Sequence, residues 1–485
     1  MPAGITIVGL GPGGRQYWTQ AAWRRLNEAD EVYAPTTHQP GLTDLVAKIY
    51  DFDDLFKQNR NFDQVYAQIA AEIVRLGQRE EGVVYATPGH PALDEPAVPR
   101  IRTLAEARQL PLMIIPGLSL VEAARTALGL NGCDPLQIIG AAELTRFHHP
   151  PLAPDYPALI TQLCHKDLAS KIKQILGNVY PDNFVVTVLT AAGSDFERLE
   201  SCPLATLDDY PDFEAQTMLY LAADQTQSSF SAFQETIAHL RAPEGCPWDR
   251  QQTHQSLRPF LLEEVYEVLE VLDAVDPGAL AEELGDLLLQ IALHTQIATE
   301  MGTFRMGQVI GHINRKLLRR HPHVFGDVVA NSVAEVTSTW ELIKKAEKLE
   351  KGQTMKNASA LDGIPKALPA LAQALAISKK AVQAGFEWAN MAGVLDKLIE
   401  EVHEVAEATQ PDHLETEIGD VLFCVVNLAR WKNIDPESAL RATNARFTRR
   451  FQTLEKLAAA QGKVLAEMSL DDMEILWGEA KKIVG

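Results

Sequence analysis

Two groups of acidic residues share one spacing. The stretch FLLEEVYEVLE (260–270) holds Glu263, Glu264 and Glu267, and EELGDLLLQ (282–290) adds Glu283 and Asp286. The set recurs in KLIEEVHEVAE (397–407), with Glu400, Glu401 and Glu404, and in TEIGDVLFC (416–424), with Glu417 and Asp420. At i, i+3 and i+4 spacing on a helix, such side chains project from one face. Pro277 and Gly278 in the first copy, and Pro411 in the second, mark a turn at which two helices can fold back as a hairpin. The carboxylates of both arms then converge.

Acidic stripes are usually solvated helix faces, but these interrupt dense apolar sequence: Phe260, Leu261, Leu262 and Val265 on one arm, Leu284, Leu287, Leu288 and Leu289 on the other. Five unpaired anions beside a core are costly, and some would take up protons at neutral pH. A hard divalent cation removes that penalty. Mg²⁺ takes oxygen ligands and keeps several waters, which leaves room for a substrate phosphate. A set that occurs twice in register favours a metal site over a solvated face.

The elements that must position these acids are helical. From about 226 to 485 apolar residues recur at helical spacing, broken by VDPGAL, GDVVANS, LDGIPKALP and TQPDH. The region repeats: Glu263 to Glu400 spans 137 residues and Glu283 to Glu417 spans 134, so the connecting turn is three residues shorter in the second copy. From 4 to about 222, short β-branched runs (ITIVGLG, GVVYATPG, LMIIPG, LQIIG, ALITQLC, FVVTVLTAAG, TMLYLAA) alternate with amphipathic segments and read as strands of α/β or mixed sheets. The expected organisation is an α/β domain over 1–225 and two all-α repeats over 226–355 and 356–485, with the boundary at the polar stretch ADQTQSS (223–229).

The bulk numbers bound the function. At 485 residues and 46 % apolar content the chain is globular and too long for one ordinary domain. A net charge of −21 argues against nucleic acid or an anionic membrane as partner. Five scattered cysteines (Cys133, Cys164, Cys202, Cys246, Cys424) form no CxxC pair and fit a reducing cytoplasm. The opening MPAGITIVGLGPGG lacks the basic region of a signal peptide, and no apolar run reaches the ~20 residues of a membrane span. A cytoplasmic protein is expected.

The doubled EExxE…ExxD pattern, with GCPWDRQQTHQSLRPFLLEEVYEV (245–268), RRHPHVFGD (319–327) and SKKAVQAGFEWAN (378–390), resembles the MazG-type nucleoside triphosphate pyrophosphohydrolases of the all-α NTP pyrophosphatase superfamily over nearly all of 230–485. The resemblance implies cleavage of nucleoside triphosphates between the α and β phosphates, with Mg²⁺ or Mn²⁺, by a homodimer of interlocked helices. All ten acids become metal candidates, with Glu401 and Glu404 as catalytic candidates, because the C-terminal copy is typically the active one. Charge on a pyrophosphate leaving group calls for cations. Candidates are Lys380, Arg446, Arg449, Arg450 and Lys481 in the second repeat, and Arg315, Lys316, Arg319, Arg320 and Lys344 in the first. Trp388 and Trp477 are candidates for stacking on a base or for core packing.

The N-terminal half is similar to the tetrapyrrole (corrin/porphyrin) methylases, on VGLGPG (8–13), VVYATPGHP (83–91) and IIPGLSLVEAA (114–124). By that resemblance Gly9, Gly11, Gly13, Pro88, Gly89, Pro116, Gly117 and Ser119 line an S-adenosylmethionine cleft. The chain departs from the family where Gly14-Arg15 and His90 stand in place of acids. Alternatives to a hydrolase are a methyltransferase whose helical half only dimerises it and a metal-dependent nucleotide sensor.

Overall fold

The computed structural model describes residues 4–37, 41–58, 62–214, 216–274, 276–350 and 359–485. The expected boundary between the helical repeats, after residue 355, lies outside them. The chain forms two compact units, Met1–Arg250 and Gln251–Gly485. The helix Phe230–Arg241 falls in the first.

In the first unit, β1 (Ile5–Gly9), β2 (Glu31–Ala34), β3 (Lys48–Asp51), β4 (Val83–Thr87) and β5 (Leu112–Ile115) form a parallel sheet in the order β3-β2-β4-β1-β5. Alternate residues serve opposite faces. Ile5, Ile7, Val83 and Tyr85 pack on Val65, Ile69 and Ile73 of the helix Phe62–Leu76. Val8, Val84 and Ala86 pack on Trp18, Leu26 and Val32 on the other side. Burial on both faces is why β1 and β4 read as nearly continuous apolar runs. A second sheet joins β6 (Gln137–Gly140), β7 (Ala158–Thr161), β8 (Val185–Thr190), β9 (Arg198–Pro203) and β10 (Met218–Leu221) in the order β6-β7-β10-β8-β9. Only β6 and β7 pair in parallel there.

The second unit is helical, as the periodicity requires. Arg258–Ala274 packs on Pro277–Glu300 as a hairpin. The Asp276 carboxylate caps the second arm by accepting the N–H groups of Gly278 (3.0 Å) and Ala279 (3.2 Å), with Pro277 in the first turn. Met391–Glu407 packs on Pro411–Trp431 in the same way, its first turn capped by Asn390 and the next arm opened by Pro411. A polar network, buried at Ser378 and Asn427, ties the second hairpin to the helix Ala370–Gln383. Arg430 Nε donates to Ser378 Oγ (2.9 Å) and Asn427 Oδ1 (3.0 Å), while its Nη atoms pair with Glu387 at 2.8 Å.

One expectation needs correction. The acidic helices do not bury their apolar residues throughout: Tyr266, Leu284, Ile399 and Leu422 are about half exposed. Two paired helices cover only the faces they turn toward each other, so the other apolar stripes stand outward on the single chain.

Candidate functional site

The hairpins bring six of the ten acids together. Glu264, Glu267 and Glu283 each offer a carboxylate oxygen within 4.8 Å of the others, and so do Glu401, Glu404 and Glu417. In both trios two acids come from the first arm and one from the second. Glu263, Asp286, Glu400 and Asp420 stand outside these trios. An all-oxygen set at this separation fits a hard divalent cation.

Mutual repulsion marks both trios. Burial first, and then the charges of Asp286 and Glu267, push the Glu264 carboxyl above the ordinary carboxylate range. Glu283 is raised by burial and by Glu267 and Asp286. Glu404 is raised by burial and by Glu401 and Glu417. The trios differ in what lies beside them. In the first, Gln290 Nε2 lies 3.4 Å from Glu264 Oε1, and no described cation pairs with its acids. In the second, Lys397 Nζ sits 2.7 Å from Glu401 Oε1 and 2.9 Å from Glu400 Oε1. Glu401 is the most buried of the six, with its side chain only 7 % exposed.

The candidate cations divide by repeat. In the first, Glu347 takes both Arg319 (2.6 Å) and Arg320 (2.6 Å), and its own carboxyl is held down to about 2, chiefly by the Arg320 hydrogen bond. Lys344 lies 4.3 Å above the Trp340 ring, and Arg315 lies 3.3 Å from His312. Arg319 and Arg320 are thus already committed to an acid. In the second repeat Arg446 donates to the Thr443 hydroxyl (3.2 Å), Arg450 donates to the Gly485 backbone oxygen (2.7 Å), and Lys380 donates to the Asp362 carbonyl. Arg446, Arg449, Arg450 and Lys380, like Lys316 in the first repeat, form no ion pair among the described residues. Lys481 lies 5.9 Å over Trp477. Trp477 packs with Leu454, Leu476 and Phe447, a core role; Trp388 meets Phe386 edge-on.

In the first unit the glycines converge on one another. A Cβ on Gly9 would lie 2.5 Å from the Gly117 nitrogen and 2.8 Å from the Gly89 oxygen; one on Gly117 would lie 2.5 Å from that same oxygen. Gly11 and Gly89 are bridged backbone to backbone. Gly13 lies close to Tyr17, between Pro12 and Gly14, and Arg15 stacks 3.6 Å over Trp23. Ser119 caps the helix Leu120–Ala127 in a capping box with Glu122. Pro88 precedes Gly89, and Pro116 precedes Gly117, on the two loops that meet here.

Sequence reading missed the acid of this region. Asp94, only 8 % exposed, accepts the N–H groups of His90 (2.6 Å) and Leu120 (3.1 Å) and the Ser119 hydroxyl (3.3 Å). It fixes the Gly89 loop against the helix at Leu120, and Gln162 donates to its backbone oxygen (2.8 Å). No motif announces it, because two of its three partners, Ser119 and Leu120, lie 25 and 26 residues away along the chain.

Comparison with known proteins agrees with both halves. Residues 252–325 and 390–454 match the MazG nucleotide pyrophosphohydrolase domain. Residues 4–208 match the tetrapyrrole (corrin/porphyrin) methylases. The chain is 38 % identical to the uncharacterized protein YabN of Bacillus subtilis, over 99 % of each. It is 45 % identical to the nucleoside triphosphate pyrophosphohydrolase/pyrophosphatase MazG of Thermotoga maritima, over 51 % of this chain and 95 % of that one. It is 44 % identical to the nucleoside triphosphate pyrophosphohydrolase of Escherichia coli K12, over 51 % and 94 %. No helix among the described residues is long and apolar enough to cross a membrane. With its doubled acidic hairpin and an α/β methylase domain ahead of it, the chain belongs to the MazG nucleotide pyrophosphohydrolase family.

Proposed function

We propose that the helical half hydrolyses nucleoside triphosphates to the monophosphate and pyrophosphate, with the second repeat as the reacting site. The observation that carries this is the pair of carboxylate trios, each drawn from two helices into 4.8 Å, in a chain of this family. Glu401, Glu404 and Glu417 would hold Mg²⁺ (or Mn²⁺), with Glu400 and Asp420 beside them. The bound ion supplies Lewis-acid polarisation of the phosphates and a more acidic water. The chain's own residues bind and orient. The acids fix where the triphosphate sits, and Arg446, Arg449, Arg450 and Lys380, which pair with no acid among the described residues, are available for the leaving pyrophosphate. The first repeat offers fewer such cations, since Glu347 occupies Arg319 and Arg320.

The outward apolar stripes of the hairpins support a homodimer in which a second copy covers them. Sedimentation of a monomer at micromolar concentration would reject that assembly. For the N-terminal half, S-adenosylmethionine is the ligand its family match suggests. Calorimetry with that compound tests it, and absence of heat excludes a methyltransferase.

The decisive assay incubates the full chain with Mg²⁺ and a panel of nucleoside triphosphates and identifies the products by chromatography. Monophosphate plus pyrophosphate is expected; diphosphate plus orthophosphate rejects the cleavage position. Glu401→Gln with Glu404→Gln should abolish turnover and leave helicity intact. Full turnover in that variant would move the site to the first repeat.

A further inference from the structure

The two trios are built on one plan but stand beside different neighbours. Four residues before Glu401, one helical turn back on the same face, is Lys397, whose ammonium bridges Glu401 (2.7 Å) and Glu400 (2.9 Å). Four residues before Glu264, at the equivalent place, is Phe260. The polar neighbour of the first trio is instead the neutral amide of Gln290, 96 % buried, 3.4 Å from Glu264. In the second trio His413 Nδ1 also stands 4.0 Å from Glu417 Oε1, a neighbour charged only when protonated; Lys397 is the standing positive charge, and the first trio has none among the described residues.

We infer that Lys397 is a resident counter-cation that a divalent ion must work against in the second trio, whereas the first, with Phe260 there, is the tighter site for a free divalent ion. The inference rests on reading the trios as cation sites. Its physics is Coulombic. An ion held by Glu401 lies within a few ångströms of an ammonium bonded to that same carboxylate, so it meets repulsion and competes for the oxygen it needs. The ammonium also neutralises part of the repulsion that would otherwise draw a cation in. Neither effect acts in the first trio, where the acids repel one another with no cation among them in the described residues. The first repeat therefore fills at low divalent-ion concentration and the second at higher concentration, so catalysis in the second repeat responds to a range in which the first is already loaded.

The test is a Mn²⁺ titration of the full chain, with free Mn²⁺ read by electron paramagnetic resonance. Two classes of site are expected. Glu264→Gln with Glu267→Gln removes the tighter class, and Glu401→Gln with Glu404→Gln the weaker. Lys397→Met keeps the stem and removes the charge; it should tighten the weaker class roughly ten- to a hundredfold and leave the other unmoved. Phe260→Lys should weaken the tighter class by a similar factor. Circular dichroism confirms that each variant is folded, and Lys397→Met, on a partly exposed side chain, carries the test by itself if Phe260→Lys does not fold. Equal wild-type affinities, or an unmoved weaker class in Lys397→Met, overturns the inference while leaving the trios as metal sites. A wild-type chain that binds no Mn²⁺ overturns the metal reading itself.

Discussion

Glu95 offers a quantitative test of how the N-terminal site region is built. It follows Asp94 and is buried, 6 % exposed, beside Tyr85 of β4. Its Oε1 accepts the Ala97 N–H at 3.1 Å. Burial raises its carboxyl from 4.5 to about 7, opposed by the Ala97 N–H and by Tyr85 and aided by the charge on Asp94. The folded-state value lies above the unfolded one, so the folded chain binds more protons between about pH 4.5 and 7. Over that window Glu95 makes the fold less stable as pH rises, and the loss levels off above pH 7. At roughly 1.36 kcal/mol per pH unit, the displacement corresponds to about 3 kcal/mol. Glu95→Gln keeps an acceptor for Ala97 and cannot ionise. Hydrogen exchange of the peptide spanning 83–98, measured from pH 5 to 8 and corrected for intrinsic exchange, should show wild type and variant similarly protected at pH 5. By pH 8 the variant should lead by about 3 kcal/mol of opening free energy. A difference that does not change with pH, or that shrinks as pH rises, would refute the argument.

Three further outcomes follow from the same geometry. Gly9→Ala should cost about 1–3 kcal/mol, read as a lower urea midpoint, because its Cβ meets backbone atoms of Gly117 and Gly89 that cannot swing aside; an unchanged midpoint would show that the loops have slack. Arg430→Met takes the cation from Glu387 and a donor from the buried Ser378–Asn427 pair, which keep their bonds to Trp388, Trp431 and each other, so a loss of about 1–3 kcal/mol is expected in thermal unfolding. Mn²⁺ affinity at both trios should fall as pH drops toward 5, because Glu264, Glu283 and Glu404 hold protons above the ordinary carboxylate range and a bound proton excludes the metal. Affinity that does not fall at any pH down to the ordinary carboxylate range would mean these acids are not the ligands.

What could be read in advance divides along physical lines. The acidic hairpins were legible because helical spacing alone puts Glu401 and Glu404 on one face, and Pro411 alone forces the return of the chain. β1 and β4 were legible because a strand buried on both faces is apolar almost throughout, broken here only by Thr6 and Thr87. β3 and β9 were not: each is an edge strand paired on one side only, and KIYD and RLESCP owe their extended form to β2 and β8 rather than to their own composition. β2 pairs on both sides, but at four residues with an acid at its head it gives too short a signal. Asp94 escaped for a related reason, since its role exists only once the Leu120 helix has been brought to it. Lys397 was in plain view, yet a lysine four residues before a glutamate is common on helices and carries little weight in isolation. What gives it weight is that its glutamate is buried inside a carboxylate trio, and that the matching place in the other repeat is a phenylalanine. A duplicated sequence is its own control: the two copies share every acid, so a difference in how they hold a metal must come from their neighbours, and Lys397 against Phe260 is the standing charge among them, with His413 beside Glu417 adding charge only when protonated.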